Sequence, residues 1–213
     1  MKTDDLISLL ATGAGAVQPH AAERRYAKAI GIGLLGAVAL MLSLLRIRSD
    51  LIEAVSLPMF WLKIGFVASL LAASLFAVLR LSRPGGRTRN IPGVLLGPVA
   101  IMWAIASYVL IDAAPEQRID LFLGKTWRYC PLLIAVLSVP AFVSGMWAMR
   151  GLAPTRPRLA GFATGLLAGA TATLIYSLHC PEIAVPFIGF WYLVGMMIPA
   201  AAGYWLGESQ LRW

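Results

Sequence analysis

Charge is what this chain has least of. Only 13% of its 213 residues are Asp, Glu, Lys or Arg, against ~25% in an ordinary soluble domain, while 59% are hydrophobic and the mean hydropathy is +0.77. That balance excludes a water-soluble globular fold and points to a membrane protein. Histidine and cysteine occur twice each. The chain has no paired histidines for haem, no phosphate-cradling glycine loop and no nucleophile, base and acid set. Two cysteines are too few for a membrane disulfide relay, which needs a second pair to pass electrons on. The apolar stretches also lack the interior charges that mark ion and proton paths. Neither an enzyme nor a pump is expected.

What is present is a series of stretches without a charged side chain: Ala29–Leu45, Ile91–Ile111, Tyr129–Met149, Leu159–Leu178 and Ile183–Gly207. At ~1.5 Å per residue, such runs reach across ~30 Å of hydrocarbon. Pro58–Leu79 makes a sixth, interrupted only by Lys63 about a turn inside its start. A lysine there either snorkels to the headgroups, the commoner case, or pairs with an outer acid such as Asp112 or Glu182. The expected fold is all-α: a polytopic membrane protein of six transmembrane helices with both termini on one side. Residues 1–28 form an N-terminal segment, 29–207 the transmembrane domain and 208–213 a tail.

Orientation follows from the basic residues. With the termini inside, the inner segments carry Lys2, Arg24, Arg25, Lys28, Arg80, Arg83, Arg87, Arg89, Arg150, Arg156, Arg158 and Arg212, and the outer ones only Arg46, Arg48, Lys63, Arg118, Lys125 and Arg128. The positive-inside rule places both termini in the cytoplasm. The net charge of +8 then lies on the inner face, dispersed at helix ends. This fits topology and anionic-lipid contact rather than nucleic acid.

The N-terminal segment carries Asp4, Asp5 and Glu23 where a cleaved signal would be basic, so it is expected to remain. Thr3 can cap a helix whose positive end the aspartates favour. Leu6, Leu9 and Leu10 fall at i, i+3 and i+4, with Ile7 three before Leu10, which makes an apolar stripe. Gly13, Gly15 and Pro19 break it. A helix of ~10 residues is marginal alone in water; it orders either in a partner's groove or against the lipid surface. Glycines at 31, 33 and 36 in the first span indicate close helix packing. Pro58 opens the second helix, with Trp61 at headgroup level. After Asp112 the sequence suggests a short interfacial helix, and Trp127, Arg128 and Tyr129 bring the chain back to the interface.

The two cysteines stand in Trp127-Arg128-Tyr129-Cys130-Pro131 and Ser177-Leu178-His179-Cys180-Pro181. The apolar run after the first and the run before the second are nearly equal in length. A hairpin therefore brings Cys130 and Cys180 to one depth at the outer boundary, where helices ~8–10 Å apart allow a disulfide. A redox-sensing pair, a permanent disulfide and two inert buried thiols are all open on this reading. His179 allows a further chemistry, since one imidazole and two thiolates can hold a transient soft metal ion with Glu182 or water as a fourth ligand. No resident cofactor is expected. A transporter using the cysteines as a cation site, or a thiol oxidoreductase, are the competing classes.

Lys2-Thr3-Asp4-Asp5-Leu6-Ile7 with Leu9, Leu10 and Ala11, then Phe60-Trp61-Leu62-Lys63, Trp127-Arg128-x-Cys130-Pro131 and His179-Cys180-Pro181-Glu182, taken in order around six helices, resemble the NrsF-like membrane anti-sigma factors of proteobacteria. The resemblance spans nearly the whole chain. It implies an inner-membrane protein that holds an extracytoplasmic-function sigma factor through Asp4, Asp5, Leu6, Ile7, Leu9 and Leu10. It also implies that Cys130 and Cys180 are needed to sense oxidative or metal stress. The partners it implies are the sigma factor and the lipid bilayer, with no direct contact with nucleic acid; a homo-oligomer is compatible with it.

Overall fold

A computed structural model describes residues 3–12, 20–83, 85, 88–152 and 154–212, apart from the side chains of residues 9, 10 and 21. The break predicted at Gly13, Gly15 and Pro19 lies outside the described residues. Among those described, the chain forms helices α1 (Thr3–Thr12), α2 (Ala21–Leu44), α3 (Leu51–Val55), α4 (Pro58–Leu81), α5 (Ile91–Asp112), α6 (Pro115–Leu123), α7 (Cys130–Arg150), α8 (Pro157–Tyr176) and α9 (Val185–Gln210). Helix α9 widens into a π turn over Ile188–Tyr192. Six of them, α2, α4, α5, α7, α8 and α9, are long and apolar enough to cross a membrane.

These runs are helical because only a helix satisfies every backbone N–H and C=O within one apolar segment. Proline stands in the first turn of every helix from α4 to α9. It costs no hydrogen bond there, since first-turn N–H groups have no intrahelical acceptor.

Helix α8 lies at the centre, packed against α9, α7, α4 and α2. From Ala160 to Thr173 every residue but Phe162 is buried, and most are Gly, Ala or Thr. The hydroxyls of Thr164, Thr171 and Thr173 donate to carbonyls four residues earlier at 2.8, 2.9 and 2.7 Å, so these side chains need no partner across the interface. A β-carbon at Gly161 would lie 2.0 Å from the Gly203 carbonyl oxygen, and one at Gly165 2.0 Å from that of Pro199. Helices α8 and α9 therefore meet backbone to backbone, the approach that small residues permit. Of the glycines read as packing positions in α2, Gly33 meets Ala141 and Gly36 meets Pro140 of α7, while Gly31 faces open space.

The starts of α2 and α8 and the ends of α4, α7 and α9 gather at one end of the bundle. There Glu23 pairs with Arg83, and Glu208 with Arg158 and Arg212. Tyr26, Leu81, Met149, Ala160 and Leu211 share a core cluster at this end. The two cysteines lie in the other cluster. Outward faces carry Leu35, Ile101, Val143 and Trp147, all exposed, an apolar surface suited to lipid.

Some boundaries differ from those drawn by charge. Helix α2 begins at Ala21 and takes Arg24, Arg25 and Lys28 into its first turns, because a helix need not stop where hydrocarbon does; residue 28 thus falls inside it. Helix α9 continues past Gly207 to Gln210, and the loop from Arg46 to Leu57 contains α3. The short helix expected after Asp112 is α6.

Candidate functional site

Proline at 181 stops α8. It lacks an N–H, and it pushes Cys180 before it out of the helical region. The helix closes with Ser177 N–H donating to Thr173 and Cys180 N–H to Tyr176, both at 2.9 Å. The chain then runs without helix to α9, and its carbonyls must find donors elsewhere. Leu178 accepts from the Arg48 backbone N–H at 3.3 Å. The Cys180 carbonyl accepts from Lys63 Nζ at 3.1 Å and from Arg48 Nη1 at 3.4 Å, and the Glu182 carbonyl from Lys63 Nζ at 3.2 Å. The Glu182 carboxylate receives the Lys125 backbone N–H at 2.8 Å and the Thr126 hydroxyl at 3.4 Å. Cations and donors from three other stretches thus replace the missing helical bonds.

Arg48 is held in turn by Asp50, through Nε at 2.7 Å and Nη2 at 2.5 Å. These hydrogen bonds lower the Asp50 carboxyl to about 2 and raise the Arg48 guanidinium above its ordinary value.

Cys130 is the first residue of α7, its N–H bonded to the Thr126 carbonyl at 2.9 Å. Cys130 and Cys180 are fully buried free thiols that share one core cluster with Tyr176 and Tyr192. Two tyrosines enclose them. Tyr176 lies one helical turn before Cys180, and its ring meets that of Tyr192 edge-on at 6.0 Å. Tyr192 ends the π turn; its buried hydroxyl closes no complete hydrogen bond and faces the Cys180 sulfur. The Cys180 thiol is held below its ordinary value, first by the hydrogen bond from the Cys130 thiol. Burial opposes this, and the Tyr192 hydroxyl, the Glu182 backbone N–H and the Lys63 ammonium reinforce it. Cys180 is therefore the sulfur better disposed to carry negative charge, the form in which thiols react.

Lys63 departs from the expectation of snorkelling. It is 0% exposed, lies over the Phe60 ring at 5.5 Å, and takes two carbonyls rather than a carboxylate. The apolar runs thus hold one interior charge after all, fixed in place by backbone. Trp61 is exposed and donates to the Val55 carbonyl at 2.9 Å. Arg128 is exposed and stacks over Trp127 at 5.2 Å.

The metal-ligand set of His179, Cys180 and Cys130 does not assemble. His179 Nδ1 donates to the Arg46 carbonyl at 2.6 Å. Among the described residues, no group of three or more His, Cys, Asp and Glu side chains is placed to hold a metal ion.

Asp4, Asp5, Leu6 and Ile7 are exposed on α1. Leu9 and Leu10 belong to that helix, but their side chains lie outside the described residues. Sequence reasoning missed Arg48, Tyr176 and Tyr192. The four-residue spacing of Tyr176 and Cys180 was a usable signal, whereas Arg48 and Tyr192 reach the site only through tertiary structure.

Residues 10–213 are similar to a family described as negative regulator of sigma F, NrsF. The chain is 62% identical to a probable anti-sigma-F factor of Azospira oryzae and 42% identical to an anti-sigma-F factor of Caulobacter vibrioides, each time over the full length of both proteins. No solved structure matches it.

Proposed function

The chain belongs to the family of negative regulators of sigma F, and from that premise we propose that it is a membrane-bound anti-sigma factor whose N-terminal segment sequesters an extracytoplasmic-function sigma factor until the Cys130–Cys180 pair is oxidised. The charge distribution supports an inner-membrane protein with both termini in the cytoplasm and the thiols at the outer boundary. The exposed apolar residues Leu6 and Ile7 beside Asp4 and Asp5 suit a short amphipathic helix that enters a groove on the sigma factor.

The observation that carries the reading is the pair of buried free thiols, one at the start of α7 and one beyond α8, in one core cluster. Two thiols becoming one disulfide release two protons and two electrons. With a peroxide as oxidant, Cys180 thiolate attacks one oxygen to give a sulfenic acid and alcohol or water, and Cys130 displaces its hydroxyl as water. A disulfide fixes a Cα separation of 4.4–6.8 Å, so its closure constrains the loop that joins the two most tightly packed helices.

The test is co-purification of the sigma factor with the detergent-solubilised full-length protein, with and without peroxide. The wild type is expected to retain sigma when reduced and to lose it when oxidised, together with free thiol. Cys130→Ser and Cys180→Ser should each retain sigma under both conditions, and Leu6→Asp should retain little under either. Release from both serine variants on oxidation would refute the sensor, and unchanged retention by Leu6→Asp would refute the N-terminal contact.

A further inference from the structure

At the end of the bundle where α2 starts and α9 finishes, α5 stands away from α8 and α9 and leaves a groove of about 620 Å³. Its walls are apolar, with Leu70, Leu95, Val99, Phe162, Leu166 and Met197 among them. At its mouth Thr88, Leu81 and Arg156 also line a smaller polar hollow of about 190 Å³, to which Arg80 and Arg83 contribute. The two spaces share a wall: a long apolar slot therefore opens directly onto three guanidinium groups. Arg83 pairs with Glu23. Arg156 donates to the Thr88 hydroxyl at 3.2 Å, and Arg80 lies over the Phe76 ring at 5.0 Å. Among the described residues neither of these two pairs with a carboxylate, so the hollow keeps a net positive charge.

We propose that this groove is a binding site for one anionic glycerophospholipid, an acyl chain lying along the leucine-lined slot and the phosphate held by Arg80, Arg83 and Arg156. Charge complementarity decides the occupant. A phosphodiester offers arginine forks two oxygens that share one negative charge; in phosphatidylcholine the choline cation cancels that charge, whereas phosphatidylglycerol brings it uncancelled, so only the anionic lipid supplies a net counterion to the hollow. The slot is apolar over its length and polar only at one end, the pattern of a lipid rather than of a water-soluble ligand. The acidic-tipped, leucine-bearing α1 of the same chain is the competing occupant that the experiment must separate.

The protein in detergent is mixed with phosphatidylglycerol or with phosphatidylcholine of the same chain length, and the lipid retained is read by native mass spectrometry. The wild type is expected to retain phosphatidylglycerol in preference to phosphatidylcholine. Each arginine contributes about fivefold, so Arg156→Gln reduces the preference about fivefold and Arg80→Gln with Arg156→Gln about twenty-five-fold. Leu166→Trp, which fills the slot, should lower retention of both lipids. Arg118→Gln, on α6, should change neither. Equal retention of the two lipids by the wild type, or an undiminished preference in the double variant, would overturn the proposal. So would phosphatidylglycerol retention that appears only when residues 1–12 are removed, which would place α1 in the groove.

Discussion

Replacing Lys63 by Met removes the charge that holds the thiol-bearing loop and keeps a side chain of similar length. The loss can be followed atom by atom. Lys63 Nζ serves the Cys180 carbonyl at 3.1 Å and the Glu182 carbonyl at 3.2 Å. Hydrogen bonds to a charged group contribute ~1.5–3 kcal/mol each, yet dehydrating the ammonium costs several kcal/mol, and the two largely offset. What decides the outcome is what remains behind. The Cys180 carbonyl keeps Arg48 Nη1 at 3.4 Å, whereas the Glu182 carbonyl loses its donor. One orphaned acceptor costs ~1–3 kcal/mol, which at ~2–4 °C per kcal/mol for a chain of this size lowers the thermal midpoint by several degrees. The same change withdraws one of the influences that lower the Cys180 thiol. Its titration then shifts to higher pH, and at a fixed neutral pH less thiolate is present. Ultraviolet thiolate absorbance, taken as the difference from a matching Cys180→Ser protein, follows that shift, and thermal unfolding in detergent follows the first. Arg128→Gln, which removes a guanidinium stacked on Trp127, should change neither. A Lys63→Met protein with an unchanged midpoint and an unmoved or lowered titration would refute the assignment of Lys63 to this loop.

Two further outcomes are expected. Gly165→Val must separate α8 from the Pro199 carbonyl and should destabilise the bundle by more than the ~1–3 kcal/mol of ordinary overpacking, whereas Gly31→Val, facing open space, should leave thermal unfolding nearly unchanged. Arg48 lowers Asp50 to about 2 from an ordinary 3.8, so the stability this carboxylate contributes is complete above the ordinary value and is lost as pH falls through about 2; Asp50→Asn should abolish that part of the acid dependence of unfolding.

The six long helices were legible because each charge-free run is long enough to cross hydrocarbon and contains nothing to stop it. The meeting of Cys130 and Cys180 was legible from the matched lengths of the runs beside them. Their surroundings were not. Whether Lys63 turns outward or inward depends on where the carbonyls of residues 180 and 182 lie, which is fixed by the way Pro181 ends α8 and by no local pattern around residue 63. Tyr192 joins the cysteine cluster from the end of the π turn, a local widening of the helix that no pattern around residue 192 announces. The α8–α9 contact, by contrast, is written in the four-residue spacing of Gly161, Gly165 and Gly169, but which helix they meet is set by the fold, which brings the backbone of Gly203, Pro199 and Met196 against them.

Where α8 and α9 touch at Gly161 and Gly165, no side chain lies between them to act as padding. Main chain resting on main chain leaves no side chain to yield, so the two helices are expected to shift together, as one beam, when the short connector between them is displaced. The Arg158–Glu208 pair at the opposite end ties the same two helices together a second time.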